Sequence, residues 1–226
     1  DVMLDRGVEY QIDKEKTDFT FPFLKIADEL KKADLVFANL ESQISDQGEN
    51  VGSIYSFRAE PEAIEGLKFA GFNVLSLANN HALDYGREAL KDSLKRLVDS
   101  GLSPVGAGQE SQAYSPLVKT VRGVRIAFFA YTDQGPVAWQ ARGESVGIAQ
   151  ISDKNIERIK EDIGLAKELV DVVIVSLHAG DEYETNPNQN QTSFARAFID
   201  AGADLVVGSH PHVVQDLQII EPTELE

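Results

Sequence analysis

The stretch Asn79-Asn80-His81-Ala82-Leu83-Asp84-Tyr85-Gly86 gathers two amides, an imidazole and a carboxylate into a single short segment. Directly upstream, Asn73-Val74-Leu75-Ser76-Leu77-Ala78 is apolar and follows Gly71-Phe72, the pattern of a buried strand. Directly downstream, residues 87–98 carry apolar side chains at helical spacing. Strand, polar loop and helix in succession form the repeating unit of an α/β fold, and ligands bind just outside the carboxyl ends of the strands in such sheets. Two readings of the loop remain open. Asp84 caps the helix while the asparagines satisfy turn backbone, or the polar groups form one wall of a site.

Working outward, the same pattern recurs. An apolar strand over residues 33–38 runs into Asn39-Leu40-Glu41. Another, over residues 171–177, runs into His178-Ala179-Gly180-Asp181-Glu182-Tyr183, and a third, over 203–207, into Gly208-Ser209-His210-Pro211-His212. The chain has four histidines, and all of them fall in loops that follow strands. If the strands are parallel neighbours, these groups converge on one edge of a sheet. Imidazoles, carboxylates and amides brought together without thiols point to metal-assisted chemistry. His212 reaches the same place only if the chain bends at Pro211; otherwise it sits beside the site or on the surface.

The rest of the chain fits this frame. Helices are expected over residues 23–32, from Pro61 to Ala70, from the capping pair Ser152-Asp153 to about Leu169, and over 192–201, where Gly202 stops the last. Residues 102–106 read as a short strand or a turn. Residues 117–120 and 124–132, joined by Arg122-Gly123, read as a β-hairpin. Residues 133–148, with the only tryptophan, Trp139, read as an insertion or lid, and residues 213–220 can form one more strand. The expectation is one α/β domain over residues 1–226 whose largely parallel sheet is made mixed by the hairpin.

Composition narrows the chemistry. The formal charge is −16, from 37 acidic and 21 basic residues, which argues against nucleic acid as a partner because phosphates are neutralised by Lys and Arg. With no cysteine, disulfides and thiolate metal sites are excluded. Any metal must be held by Asp, Glu, Asn and His, which suits Mn, Zn, Fe or Mg. No apolar run is long enough to span a bilayer.

The motifs resemble the CapA-type poly-γ-glutamate capsule biosynthesis proteins, distant members of the calcineurin-like metallophosphatase fold. The resemblance rests on Asp1-Val2-Met3-Leu4, Asn39-Leu40-Glu41, Phe57-Arg58 with Pro61-Glu62, Asn79-Asn80-His81 through Asp84-Tyr85-Gly86, His178 through Tyr183, and Gly208-Ser209-His210-Pro211-His212-Val213. It implies a four-layer α/β/β/α sandwich of two mixed sheets, and a domain lacking the family's first and last strands. It also implies divalent metal held by Asp1, Glu41, Asn80, His178, His210 and His212. His81 would then be the acid, with Asp84 orienting it or capping the helix, and Asn39, Arg58, Asn79 and Glu182 would contact substrate. Arg58 is read either as a bidentate partner of a substrate carboxylate or phosphate, or as a surface ion pair.

Departures accompany the resemblance. Met3 stands where phosphatases of the wider fold have His, Asn39-Leu40-Glu41 where they supply Asp, and Ala179 where the capsule family usually has Trp. The resemblance implies a metal-dependent hydrolase or transferase acting on a γ-glutamyl amide or a phosphoester. The alternative is a non-catalytic, polymer-binding component of a capsule synthesis or export complex. The expected partners are a polyanionic polymer or its small precursor and a membrane capsule-synthesis complex. The expected location is extracellular or cell-surface, anchored to the membrane through a segment outside these residues.

Overall fold

The computed structural model describes residues 1–221. In chain order the strands are β1 (Phe37–Asn39), β2 (Gln43–Ile44), β3 (Arg58–Ala59), β4 (Val74–Ser76), β5 (Ser103–Val105), β6 (Ala107–Gly108), β7 (Leu117–Val121), β8 (Val124–Thr132), β9 (Gly147–Ile148), β10 (Val172–His178) and β11 (Leu205–Ser209). The helices are α1 (Gly7–Glu15), α2 (Ala27–Leu30), α3 (Ala63–Ala70), α4 (Gly86–Asp99), α5 (Glu110–Ala113), α6 (Ile156–Leu169) and α7 (Gln189–Asp200).

Two sheets dominate this mixed α/β structure. The first has the order β1-β4-β5 and the second β11-β10-β8-β7, while β2-β3 and β6-β9 form two small pairs. The first sheet is parallel throughout, with Asn39 opposite Ser76 and Leu75 opposite Pro104. This corrects the expectation of mixed pairing in both sheets. Pro104 lies on the outermost strand, where a residue without an N–H costs no ladder bond on its free side. In the second sheet β8, β10 and β11 are parallel, with Thr132 opposite His178 and His178 opposite Ser209, and β7 is antiparallel to β8. The β7–β8 turn at Arg122-Gly123 has φ of 49° and 87°, the doubly positive geometry that matches strand twist in tight hairpins.

Strand periodicity divides the core. Side chains alternate across a strand, so Leu75 faces one apolar cluster with Leu40, Ile44, Leu67, Leu90 and Leu97, while its neighbour Val74 faces another with Val105, Phe128 and Ala130. Phe128 and Ala130 alternate in turn with Phe129 and Tyr131, which join Ile159, Ile163, Val173, Val175 and Phe198 beneath α6 and α7. The middle cluster therefore joins the two sheets, and Phe37 stacks on Phe128 across it at 5.9 Å. Each fully buried aliphatic or aromatic side chain contributes about 1.5–3 kcal/mol.

Several local expectations are corrected. The strand expected over 33–38 is only Phe37–Asn39, and that over 73–78 only Val74–Ser76. The helix expected over 23–32 is a 3₁₀ turn at Phe21–Phe23 followed by the short α2. Helix α1 is additional, with only Ile12 buried, so its sequence has little apolar periodicity to betray it. Helix α7 begins at Gln189, because Asn188 accepts from Gln191 N in a capping box. Helix α6 begins after Asn155, whose Oδ1 accepts from Ser152, so Ser152-Asp153 is not its cap. Residues 213–220 run beyond β11 without strand pairing. Residues 133–148 are pinned rather than loose: Arg87 of α4 donates to the carbonyls of Val146 and Ala138, and Gln150 Nε2 donates to those of Gln134 and Gly135 at 2.9 and 3.0 Å. Among the described residues no helix is long and apolar enough to cross a membrane.

Candidate metal centre

Parallel pairing brings the ends of β1 and β4 in one sheet, and of β10 and β11 in the other, to the same edge of the molecule. The chain start joins them: Val2 bridges Leu40, with Val2 N donating to Asn39 O and Glu41 N to Val2 O, both at 2.8 Å. This backbone pairing is what seats Asp1 at the site. His210 and His212 both adopt left-handed backbone, at φ of 98° and 56°, on either side of Pro211. That double bend turns His212 back toward Asp1, with Nδ1 3.0 Å from Asp1 Oδ2. Such backbone costs of the order of 1–3 kcal/mol per residue and persists where the surroundings impose it, often at functional sites.

One line of hydrogen bonds crosses the cluster. His81 Nδ1 lies 2.7 Å from Asp84 Oδ2, Asn80 Nδ2 lies 3.2 Å from His81 Nε2, and Asn80 Oδ1 lies 2.8 Å from His178 Nε2. Beyond it, His178 Nδ1 meets Asn39 Nδ2 at 3.2 Å and Ser209 Oγ at 3.0 Å. A carboxylate accepts only, and an amide nitrogen donates only. Without a cation, the line therefore assigns protons to His81 Nδ1 and His178 Nε2 and leaves His81 Nε2 and His178 Nδ1 as acceptors; a cation held by Asn80 and His178 would take the place of the hydrogen bond between them.

Among the described residues, two three-residue groups have potential ligand atoms within 4.8 Å of one another: Asp1, Glu41 and His178; and Glu41, His210 and His212. Glu41 is shared, and its Oε1 lies 3.7 Å from both His178 Nε2 and His212 Nε2. The His178 and His210 rings are 4.8 Å apart. Glu41 Oε1 and His210 Nδ1 are buried without a hydrogen-bond partner. Buried polar groups are nearly always paired, so these two orphans, aimed into a set of oxygen and imidazole donors, fit a divalent cation.

Burial shapes the protonation of these donors, keeping the Glu41 carboxyl protonated near neutral pH until a cation displaces the proton. Burial raises the Glu41 carboxyl to about 8, and the nearby Glu182 and Asp84 charges add to the rise. Burial likewise lowers His178, which His210 and His212 push further down, and it lowers His210 and His212. The imidazoles are thus held neutral, the form that ligates metal.

The remaining expected residues have definite places. Asn79 is fully buried and acts as a tie: Nδ2 donates to Asn39 Oδ1 at 3.1 Å and Leu40 O at 2.8 Å, and Oδ1 accepts from His81 N at 3.1 Å. Asn39 Nδ2 is shared among Asp1 Oδ1 at 2.7 Å, Glu41 Oε2 at 3.3 Å and His178. Asp84 does not cap α4, whose capping position is Tyr85; its Oδ2 accepts from Phe57 N at 2.9 Å and holds His81. Arg58 forms no surface ion pair among the described residues. Its Nη1 donates to the carbonyls of Gln47 and Gly48 at 3.0 and 3.2 Å, and its guanidinium lies over the Tyr85 ring. Glu182 is exposed beside His210 and His212.

Three contributors escaped sequence reasoning. Ser209 holds His178, Thr132 Oγ1 donates to His178 O at 2.7 Å, and the Phe57 ring sits edge-on to His81 at 4.2 Å. Ser209 was within reach, since it adjoins His210 at a strand end. Thr132 and Phe57 depend on register and on loop packing.

Fold and site together define an α/β protein with a histidine, carboxylate and amide cluster at convergent strand ends, a donor set that fits a divalent cation. The chain belongs to the family described as bacterial capsule synthesis protein PGA_cap, whose model matches residues 1–224. It is 33% identical over 225 residues to the capsule biosynthesis protein CapA of Bacillus anthracis, covering 97% of this chain and 54% of that protein. It is also 33% identical over 228 residues to the PGA biosynthesis protein CapA of Bacillus subtilis (strain 168), covering 99% of this chain and 58% of that one. The chain therefore spans little more than half the length of these relatives. A crystal structure of a hypothetical protein from Thermus thermophilus shares the fold, with a TM-score of 0.50 at 19% identity, covering 86% of this chain and 63% of that one.

Proposed function

We propose that the chain is the metal-dependent hydrolase or transferase domain of a cell-surface capsule polymer pathway, acting on a γ-glutamyl amide or a phosphoester. The observation that carries this reading is that two of the buried side-chain atoms left without a partner, Glu41 Oε1 and His210 Nδ1, belong to one donor set joined through Asn80 to His81 and Asp84. The packing supports an α/β/β/α sandwich, with the Val74–Phe128 cluster between the sheets and helices on both outer faces.

Asp1, Glu41, Asn80, His178, His210 and His212 are the residues that would hold the cation. The chemistry it supplies is polarisation of a carbonyl or phosphoryl oxygen and activation of water, and the oxygen and imidazole donors suit Mn, Zn, Fe or Mg. The protein's own part is proton control. Asp84 fixes His81 through Nδ1, so a second proton taken up at Nε2 can pass to a departing amine or alkoxide. The partners in this reading are the polyanionic polymer or its small precursor and a membrane capsule-synthesis assembly.

The test is elemental analysis of the purified protein, combined with turnover assays on γ-glutamyl peptides and phosphoesters for the protein and its His81→Ala variant. Bound divalent metal, with turnover lost in the variant, is the expected result. Absence of metal, or turnover indifferent to His81, overturns the enzymatic reading. Polymer binding retained without any turnover would instead establish a binding component.

A further inference from the structure

Against Phe57, the ring that packs on His81, lies a cation that the metal centre does not use. The Arg6 guanidinium sits 5.3 Å from the centre of the Phe57 ring and 5.4 Å from that of Tyr55. Phe57 is itself edge-on to His81 at 4.2 Å, and its backbone N–H donates to Asp84 Oδ2, the atom that also holds His81. Phe57 therefore links Arg6 to His81, and Asp84 secures both Phe57 and His81.

The chemistry of that guanidinium is unspent. Among the described residues no carboxylate lies within ion-pair distance of the Arg6 side chain, although Asp5 is adjacent in sequence. Asp5 accepts from Arg6 N at 2.5 Å and Arg58 N at 2.7 Å, and its carboxyl also shares a hydrogen bond with that of Glu9. The neighbouring arginine, Arg58, has already committed Nη1 to two loop carbonyls. Most other cations of this strongly acidic chain are paired on its surface, among them Lys32, Lys68, Lys91, Lys95, Arg96 and Arg122. Aromatic rings engage the flat face of a guanidinium and leave its planar fork of N–H donors open, the geometry that grips a carboxylate or phosphate bidentately.

We infer that Arg6, stacked on Tyr55 and Phe57, is an oxyanion-recognition residue that holds an anionic group of the substrate beside the bond on which His81 acts. This rests on the reading of the metal centre as a hydrolase or transferase and deepens it by naming what selects the substrate. On a γ-glutamyl substrate the oxyanion is the free α-carboxylate next to the γ-amide; on a phosphoester it is a phosphate oxygen pair. Arg58 shares the neighbourhood with its Nη1 already committed, whereas among the described residues no side-chain donor of Arg6 is bound to a protein acceptor.

The experiment compares Arg6→Ala and Arg6→Lys with the unaltered protein on two γ-glutamyl dipeptides, one with a free α-carboxylate and one with that carboxylate converted to a carboxamide. Direct binding to metal-loaded protein is measured by calorimetry alongside turnover. The expected result is a rise of about tenfold or more in KM and Kd for the carboxylate form in Arg6→Ala, a smaller rise in Arg6→Lys, kcat within about twofold, and little change for the carboxamide. An equal effect on both dipeptides, or none on either, overturns the assignment. Competition by inorganic phosphate that disappears in Arg6→Ala would place the oxyanion on a phosphoester. If Arg6-dependent binding is seen but no turnover, the enzymatic reading falls and the anion site stands. Turnover indifferent to Arg6 gives the reverse.

Discussion

His81 Nδ1 and Asp84 Oδ2 stand 2.7 Å apart, and the same carboxylate oxygen accepts the Phe57 N–H at 2.9 Å. One buried oxygen thus sets both the tautomer of the imidazole and the position of the segment that carries Phe57. Replacing Asp84 by Asn substitutes a neutral amide that can present a donor to Nδ1. In the hydrolase reading, His81→Ala should lower kcat by about 10²–10⁴-fold, the usual range for a general acid. Asp84→Asn should lower kcat less and leave bound metal unchanged. Asp84→Ala should in addition cost about 1–3 kcal/mol by stranding the Phe57 N–H. Steady-state kinetics, elemental analysis and thermal melts of the three variants separate these effects.

Metal retention is expected to follow the strand ends. His178→Ala and His210→Ala each remove an imidazole donor from a buried site, so bound divalent metal should fall well below the level of the unaltered protein. A cation present at about a hundred times its Kd stabilises a folded chain by about 2.7 kcal/mol. Titration with Mn²⁺ or Zn²⁺ should therefore raise the Tm of the unaltered protein by several degrees and that of either variant by far less. Equal shifts in all three would count against these residues as ligands.

Glu41 dictates a pH dependence with a definite sign. Burial raises its carboxyl from 4.5 to about 8, so folding of the metal-free protein takes up a proton between those values. The contribution is fully present below about pH 4.5 and is lost as the pH rises through about 8. Melts of chelator-treated protein and its Glu41→Gln variant from pH 5 to 9 should show the unaltered protein losing ground to the variant as pH increases. The lowered histidines act in the opposite sense, their contribution being lost as pH falls through 6.5 and below, and they are common to both proteins. Parallel curves would show that Glu41 is already ionised in the fold.

The join between the sheets has its own test at Gly106. With φ of 83°, an added Cβ would lie 2.8 Å from Ala130 Cβ, Ala130 O and Ala78 Cβ. Gly106→Ala combines a left-handed penalty of about 1–2 kcal/mol with overpacking of about 1–3 kcal/mol. Denaturant unfolding should show a loss of a few kcal/mol with an unchanged m-value. A neutral substitution would mean that the sheets are less closely packed there than the contact distances require.

Much of this site was readable from residue order alone. Apolar runs ending in Asn39-Leu40-Glu41, Asn79-Asn80-His81, His178 and Ser209-His210 identify strand ends, because burial of a strand and exposure of its polar tip are both written locally. The same locality misplaced boundaries. Residues 33–38 look like a strand throughout, yet pairing with Val74–Ser76 begins only at Phe37. Residues 213–220 could form a strand by sequence, and among the described residues no strand pairs with them.

By itself, then, the chain determined its class, its donor chemistry and the set of residues that could meet, because periodicity, charge and the lack of cysteine are local or additive properties. Only the tertiary structure decided how they meet. Register set His178 between Thr132 and Ser209, the Val2–Leu40 bridge delivered Asp1, and two left-handed residues around Pro211 turned His212 inward. It also settled Asp84 as the partner of His81 rather than a helix cap, and it placed Arg6 against Phe57 across fifty residues of chain. Such contacts depend on distances between segments remote in sequence, and those are fixed only when the sheets pack.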